Sequence, residues 1–202
     1  MQVLKQKKRT PLIKSSYFST PFYLEMIEQD IKPLIDYAYE LKEKSPGRQS
    51  TNVDAWQSND LISSAVLEPF IKKFEDVCNE LHQDMQLQHK QLIDNVWINI
   101  NPKGGFNKPH VHSDNVFSGV FYLKCDSNSG ELVFTHPAVN HVYHFNDYTV
   151  EKYNNMNSGQ FKSPPQERKL IVFPSYATHY VEPNRSDNDR ISLAFNTKFK
   201  AI

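Results

Sequence analysis

The sequence predicts a mainly β protein with flanking helices, in which two N-terminal helices pack outside a small antiparallel barrel. Three observations predict this class. Apolar residues recur at helical spacing in two segments before Gln91. After Gln91 the pattern changes to short period-two segments rich in β-branched residues. No helical pattern interrupts these segments, so we expect an antiparallel sandwich or barrel rather than a parallel βαβ sheet.

The first predicted helix begins at Thr20, a capping residue that leaves Pro21 in the first turn, where proline is tolerated. Its apolar stripe runs to Leu41, and we expect the helix to end near Ser45. A loop rich in Ser, Asn and Gln then connects it, over 46–59, to the second helix.

The second predicted helix covers about 60–89, where the apolar residues again lie on one stripe. We expect a single domain over 1–202. Within it, the polar and basic leader is 1–19, the helical support is 20–90 and the β-barrel core is 91–202.

The first predicted strand carries three β-branched residues, Val96, Ile98 and Ile100, in alternation with other residue types. If these three side chains pack outward against the helices, Asn99 and Asn101 point into the barrel. Residues 147–165, with aromatic residues and two prolines, are predicted as a loop of the kind that forms a lid. Further strands are predicted over 118–124, 131–135, 141–145, 169–174 and 190–198.

Composition excludes several functional classes. The 202 residues contain 23 Lys and Arg against 23 Asp and Glu, a net charge of zero, which argues against nucleic acid or an anionic membrane as the main partner. No apolar segment has the roughly 20 residues of a transmembrane helix, and no signal-peptide core follows the basic start. The two cysteines form no CxxC pair. We therefore expect a soluble, cytoplasmic protein, in the host cytoplasm if the chain is phage-encoded.

The segment around His112 has the pattern of a metal site. His112 and Asp114 stand at positions i and i+2 at the edge of a predicted strand, where alternate side chains share a face. Two imidazoles and one carboxylate on one face of Fe(II) leave positions open for a cosubstrate and dioxygen. His179, which follows a hydrophobic strand and a turn, is the expected third ligand.

Arg190 and Ser192 alternate with apolar residues on the last predicted strand, so their side chains face the same way. A guanidinium and a hydroxyl together anchor a carboxylate through charge-assisted hydrogen bonds. The HxD pair, the distant histidine and the Arg-x-Ser pair eleven residues beyond it form one combined signal. Their order and spacing are more specific than any one of them.

These residues give the chain a resemblance to the 2-oxoglutarate- and Fe(II)-dependent oxygenases, and within them to a group of small, often phage-borne members. The shared motifs are H-x-H followed by S-G-V-x-Y (110–122), F-P-S-x-x-x-H (173–179) and R-x-S (190–192). An element similar to G-W-Q-S stands before the second helix as A-W-Q-S (55–58). The resemblance spans about 21–198, and its β half is the specific part.

The resemblance implies a double-stranded β-helix, a jelly-roll or cupin-like barrel, that holds Fe(II) and uses 2-oxoglutarate and O2 as cosubstrates. Carried over to this sequence, His112 is the proximal ligand, Asp114 the carboxylate ligand and His179 the distal ligand. The distal carboxylate of 2-oxoglutarate would pair with Arg190. The implied reaction is hydroxylation of a substrate with release of succinate and CO2.

Three residues keep alternative interpretations. His110 and His112, also at i and i+2, would serve a metal as a pair, as in cupin-like barrels; otherwise His110 lines the substrate mouth or bonds a group behind the ligands. Asn101 binds the cosubstrate or a neighbouring strand. Tyr122 reaches the 2-oxoglutarate carboxylate or is an ordinary core tyrosine.

The expected function is that of a 2-oxoglutarate-dependent dioxygenase that hydroxylates a peptidyl residue or a small metabolite. The alternatives are a noncatalytic metal- or ligand-binding β-barrel and a cupin-type enzyme that needs no 2-oxoglutarate. Nucleic acid and membrane are not expected partners. The first helix could cover the barrel or mediate a homodimer, and the sequence leaves both open.

Overall fold

The computed structural model describes residues 19–138 and 145–199. Two helices, α1 (Lys32–Lys44) and α2 (Glu68–Asp84), precede most of the strands. The strands are β1 (Tyr23–Met26), β2 (Asn52–Val53), β3 (Trp56–Gln57), β4 (Gln91–Asn101), β5 (Phe106–His110), β6 (Phe117–Lys124), β7 (Leu132–Thr135), β8 (Gln160–Ser163), β9 (Lys169–Pro174), β10 (His179–Val181) and β11 (Arg190–Phe199).

The strands form two antiparallel sheets. The larger has the order β1-β9-β6-β11-β4-β3, and the smaller has the order β2-β5-β10-β7-β8. The mainly β class with two helices is therefore confirmed. The expected barrel appears as two separate sheets rather than one closed cylinder.

The helices pack on the outer face of the six-stranded sheet. Val96, Ile98 and Ile100 on β4 are fully buried in the same apolar cluster as both helices, as their alternation predicted. Phe74 of α2 stacks on Phe195 of β11, with ring centroids 4.8 Å apart. Burial of such side chains contributes about 1.5–3 kcal/mol each. The opposite face of this sheet is thereby left to the cavity.

The first helix is shorter than predicted. Residues 23–26, expected to be helical, form β1, which pairs with β9 so that Tyr23 lies opposite Val172. Strand pairing replaces the local helical pattern here, because tertiary contacts outweigh helix propensity. The proline in the first turn of α1 is Pro33 rather than Pro21.

The second helix is also shorter, because residues 60–67 form turns and Pro69 stands in its first turn. It ends before Gln86, whose φ of 52° reverses the chain. The expected helical support at 20–90 thus contains three strands. The strand predicted over 141–145 lies, except for Phe145, outside the described residues, and Phe145 is not in a strand.

Within the loop predicted over 147–165, β8 pairs with β7 and extends the smaller sheet. The strands predicted over 118–124, 131–135, 169–174 and 190–198 are confirmed within one residue at each end. Among the described residues, no helix combines the length and the apolar character needed to cross a membrane.

Candidate functional site

Three imidazoles meet on the smaller sheet. His110 is the last residue of β5 and lies opposite His179, the first residue of β10. His112 follows two residues after β5, with its ring centroid 5.0 Å from that of His110 and 5.3 Å from that of His179. One nitrogen from each ring lies within 4.8 Å of the other two, so the three could hold one metal ion.

Backbone hydrogen bonds orient two of the three rings. The Nδ1 of His110 lies 2.7 Å from the carbonyl oxygen of Lys108, and the Nδ1 of His179 lies 2.8 Å from that of Ala177. A carbonyl oxygen only accepts, so each Nδ1 carries the hydrogen and donates it. Each Nε2 therefore keeps its lone pair free for a metal.

Burial keeps the imidazoles neutral. Burial, with a smaller contribution from the neighbouring rings, lowers the pKa of His179 to about 3 and that of His112 to about 4. Burial also lowers the pKa of His110. Neutral imidazole is the form that binds a metal, so no proton has to be displaced from these rings near pH 7.

The structure does not bring Asp114 into this cluster. After His112 the chain turns, and the N–H of Asn115 donates to the carbonyl oxygen of His112 at 3.2 Å. This turn replaces the strand in which positions i and i+2 would share a face, and Asp114 is exposed on it. Its role as a carboxylate ligand stays a prediction.

Two motif serines support the segment that carries His112. The N–H of His112 donates to the carbonyl oxygen of Ser175 at 2.9 Å. The hydroxyl of Ser118 donates to Asn196 at 2.7 Å, so at its 2.8 Å contact with Ser118 the hydroxyl of Ser175 is the donor. The S-G-V and F-P-S motifs, far apart in sequence, are thus hydrogen-bonded neighbours beneath the imidazoles.

The cavity face of the six-stranded sheet carries rows of aligned side chains. In one row, strand pairing places Tyr122 opposite Ser192, Ser192 opposite Asn99, and Asn99 opposite Gln57. All four are buried and line the same cavity as the imidazoles. The expectation that Asn99 faces inward is confirmed.

Arg190 stands at the end of β11 beside this row and is only 2% exposed. Its Nη1 donates to the carbonyl oxygen of Ser129 at 3.2 Å, whereas its Nε has no partner in the described part of the chain. No ion pair between described residues includes it. Burial lowers the pKa of Arg190, because a buried cation without a counterion is costly. An anion in the cavity would supply the missing partner.

The other predicted cosubstrate residues differ in their surroundings. Burial raises the pKa of Tyr122 to about 12, so its hydroxyl stays protonated as a donor, and no described residue hydrogen-bonds to it. Ser192 lines the cavity beside it. Asn101 does not line the cavity; its amide donates to Asn107 at 3.3 Å and its Oδ1 is unpartnered. The roles of these three residues stay predictions.

The cavity itself lies between the two sheets and contains about 640 Å³ of empty space, including its mouth. Its ionisable lining groups are the three imidazoles, Arg190 and Tyr122, so no carboxylate faces it among the described residues. Further lining residues were not singled out from the sequence as site residues. Gln57 could have been found from the A-W-Q-S element, and Trp97 from the alternation of side chains on β4. No sequence pattern indicated that Asn107 lines the cavity.

Comparison with known proteins adds a family match. A family model described as "Putative 2OG-Fe(II) oxygenase" matches residues 95–196. This segment runs from β4 to β11 and contains all three imidazoles and Arg190. No curated protein matches the chain.

Solved structures share the fold at low identity. The prolyl-4-hydroxylase of Pseudomonas putida has a TM-score of 0.62 and 14% identity, and the match covers 91% of this chain and 95% of that chain. The viral collagen prolyl hydroxylase of Paramecium bursaria Chlorella virus-1, a 2-oxoglutarate complex, has a TM-score of 0.57 and 14% identity. That match covers 87% of this chain and 94% of the viral chain. HygX of Streptomyces hygroscopicus, with nickel and 2-oxoglutarate bound, has a TM-score of 0.59 and 10% identity. That match covers 88% of this chain and 82% of HygX.

Proposed function

Because this chain belongs to the 2OG-Fe(II) oxygenase family, we propose that it is a hydroxylase with the double-stranded β-helix fold. In the proposed reaction, a substrate C–H bond, O2 and 2-oxoglutarate yield the hydroxylated substrate, succinate and CO2. One oxygen atom enters the substrate and the other enters succinate. The observation that carries this proposal is a cluster of three neutral imidazoles that shares one cavity with a buried, unpaired guanidinium.

The proposed iron ligands are His110, His112 and His179. Imidazole is a suitable ligand for iron, and the free Nε2 atoms of His110 and His179 fit that role. This assignment takes the pairing of His110 with His112 in place of His112 with Asp114. Asp114 as the carboxylate ligand is the competing hypothesis, and substitution of each residue separates the two.

We assign the distal carboxylate of 2-oxoglutarate to Arg190, with Ser192 and Tyr122 as further donors. The unpartnered Nε of Arg190 supports this assignment, because buried polar atoms are normally hydrogen-bonded. Asn101 would act from behind the cavity wall by holding Asn107, with which it shares a hydrogen bond.

When bound, the iron supplies O2 activation and the oxidation of the substrate. The chain orients the two cosubstrates and excludes water. Phe173 supports the second task, because its ring packs on His179 with centroids 4.8 Å apart. The Nδ1 hydrogen bonds of His110 and His179 keep the ring orientation fixed through the reaction.

A small molecule or a peptidyl residue is the proposed substrate class. The similar structures include prolyl hydroxylases and a HygX complex with hygromycin B, so the fold accommodates both classes. The single-domain organisation and a homodimer remain further proposals.

The proposed function is tested by adding Fe(II) and 2-oxoglutarate to the metal-free protein under anaerobic conditions. We expect a visible charge-transfer absorption that requires both additions, followed by succinate release when air and candidate substrates are supplied. If no absorption develops and no succinate forms, the chain is a noncatalytic binding protein and the proposal is wrong.

A further inference from the structure

We infer that Gln57 and Asn99 form a subsite that binds an uncharged amide group of the primary substrate, either a carboxamide or a peptide bond. The inference rests on the proposed function, because it assigns the remainder of the cavity to 2-oxoglutarate. It concerns the side of the cavity formed by β3 and β4.

The position of Gln57 separates it from the cosubstrate anchor. The row of Tyr122, Ser192, Asn99 and Gln57 crosses four neighbouring strands, and strands lie about 4.8 Å apart, so the row extends over roughly 14 Å. Arg190 lies on β11, between the strands of Tyr122 and Asn99, and it interacts electrostatically with Tyr122. 2-Oxoglutarate bound between Arg190 and the imidazoles occupies the Tyr122 end of the row and leaves Gln57, on the outermost strand, free for another ligand.

Both residues are buried, and no described side chain or backbone group bonds their carboxamides. Gln57 is 6% exposed and Asn99 is 8% exposed. The Oδ1 of Asn99 is buried and has no hydrogen-bond partner among the described residues. The side chain of Gln57 lines the cavity and hydrogen-bonds to no described residue. By contrast, the carboxamide of the cavity residue Asn107 donates to Thr51 and accepts from Asn101. A buried amide oxygen without a partner is rare, so a ligand in the cavity is the expected partner of Asn99. Gln57, its neighbour on β3, lines the same cavity and can bind the same ligand.

The chemistry of this wall indicates an uncharged ligand. A carboxamide offers both an acceptor oxygen and donor hydrogens without net charge. Gln57 and Asn99 lie opposite each other on adjacent strands, whose backbones are about 4.8 Å apart, so one ligand amide can contact both side chains. Arg190, the only permanent charge that the described residues contribute to the cavity lining, is assigned to the cosubstrate by the proposed function. Trp97, one row away on β4, offers a flat apolar surface beside them.

The test measures the binding of three small probes by saturation-transfer NMR, with metal-free protein and with protein loaded with Zn(II) and 2-oxoglutarate. The probes are N-acetylglycinamide, the anion N-acetylglycine and the polyol methyl glucoside. We expect only the amide to bind. The substitution Gln57→Met should weaken it by about three- to tenfold, the equivalent of one net hydrogen bond, while the affinity for 2-oxoglutarate changes less than about twofold.

The control is Gln160→Met, which changes an exposed glutamine of β8 outside the cavity and should alter neither affinity. Preferred binding of methyl glucoside or N-acetylglycine would overturn the inference, as would absence of amide binding in both protein forms. Loss of 2-oxoglutarate affinity in Gln57→Met would assign the residue to the cosubstrate and also overturn it. If the unsubstituted protein fails to bind 2-oxoglutarate, the proposed function is contradicted. The inference about the amide subsite is still tested in that case, because amide binding is also measured with the metal-free protein.

Discussion

Arg190 combines complete burial with an incomplete hydrogen-bond set. Among residues 19–138 and 145–199, the carbonyl oxygen of Ser129 is the only acceptor for its guanidinium, and its Nε has no partner. Desolvating a cation in this way is costly unless an anion compensates it. The proposed occupant, a carboxylate of 2-oxoglutarate, would supply both the charge and the acceptors.

The substitution Arg190→Met should therefore weaken 2-oxoglutarate binding by roughly 10- to 100-fold, because one or more charge-assisted hydrogen bonds are lost. Anaerobic titration of the Fe(II) protein with 2-oxoglutarate measures the affinity. Arg185→Met, at an exposed arginine, is the matched control and should bind normally. Unchanged affinity in Arg190→Met would indicate an enzyme that does not use this anchor.

A matched pair of substitutions distinguishes the two ligand sets. His110→Ala should lower the affinity for Co(II) by more than about 100-fold, which exceeds the usual effect of losing a group behind the ligands. Asp114→Ala should change it by less than about threefold, because Asp114 is exposed and lies outside the imidazole cluster. The measurement is a Co(II) titration followed by d–d absorption. The reverse result would establish Asp114 as a ligand and remove His110 from the set.

At the scale of elements, the ring of Phe195 on β11 can pack over the neighbouring strand β6 only because position 119 is a glycine. A Cβ on Gly119 would lie 2.2 Å from the ring of Phe195, the residue that stacks on Phe74 of α2. The S-G-V motif therefore has a packing reason, in addition to the serine that bonds Ser175.

Gly119→Ala should lower the free energy of unfolding by about 1–3 kcal/mol, the usual cost of overpacking a core. Urea unfolding measures the change. Adding Phe195→Leu should recover part of the loss, because the smaller side chain relieves the contact. A stable Gly119→Ala protein without such coupling would contradict the packing interpretation.

A second prediction for these elements concerns the chain of hydrogen bonds from Ser175 through Ser118 to Asn196. Ser175→Ala removes the hydrogen bond to Ser118 and should lower the free energy of unfolding by about 0.5–1.5 kcal/mol. The backbone carbonyl that accepts from the N–H of His112 is kept in this variant, so Co(II) affinity should change by less than about threefold. A double-mutant cycle with Ser118→Ala should show coupling, and strictly additive effects would disprove the chain.

At the scale of the whole molecule, the two sheets bury His179 and half-bury His110 and His112 in one cavity wall. The pKa of His179 falls to about 3 and that of His112 to about 4, each from 6.5. Below pH 6.5 the unfolded chain takes up protons at these positions while the folded protein does not. Their contribution to stability is therefore present above pH 6.5 and is lost as the pH falls toward 4.

The free energy of unfolding of the metal-free protein should accordingly decrease between pH 6.5 and pH 4, by up to about 1.4 kcal/mol per pH unit for each imidazole that stays neutral. Denaturant unfolding at several pH values measures this slope. The double variant His112→Asn, His179→Asn should show a shallower dependence. An equal slope in both proteins would show that these rings titrate normally.

Much of the fold could be predicted from residue spacing, whereas the shortest elements could not. Long alternating segments such as 190–198 were predicted nearly to their ends, since their pattern persists over many residues. The two-residue strands β2 and β3 are too short to show a period. The strand at 23–26 was predicted as helix, because its pairing with β9 depends on residues far away in sequence.

The candidate site also has features that local sequence patterns predict and features that depend on contacts between distant residues. By itself, the sequence determined the residue types and their order, including His179 and Arg190, because strand alternation and motif spacing are local properties. The tertiary structure decided which groups meet: the turn after His112 directs Asp114 to solvent, and the pairing of β5 with β10 brings His110 opposite His179. Contacts between distant strands depend on register, which local spacing does not specify.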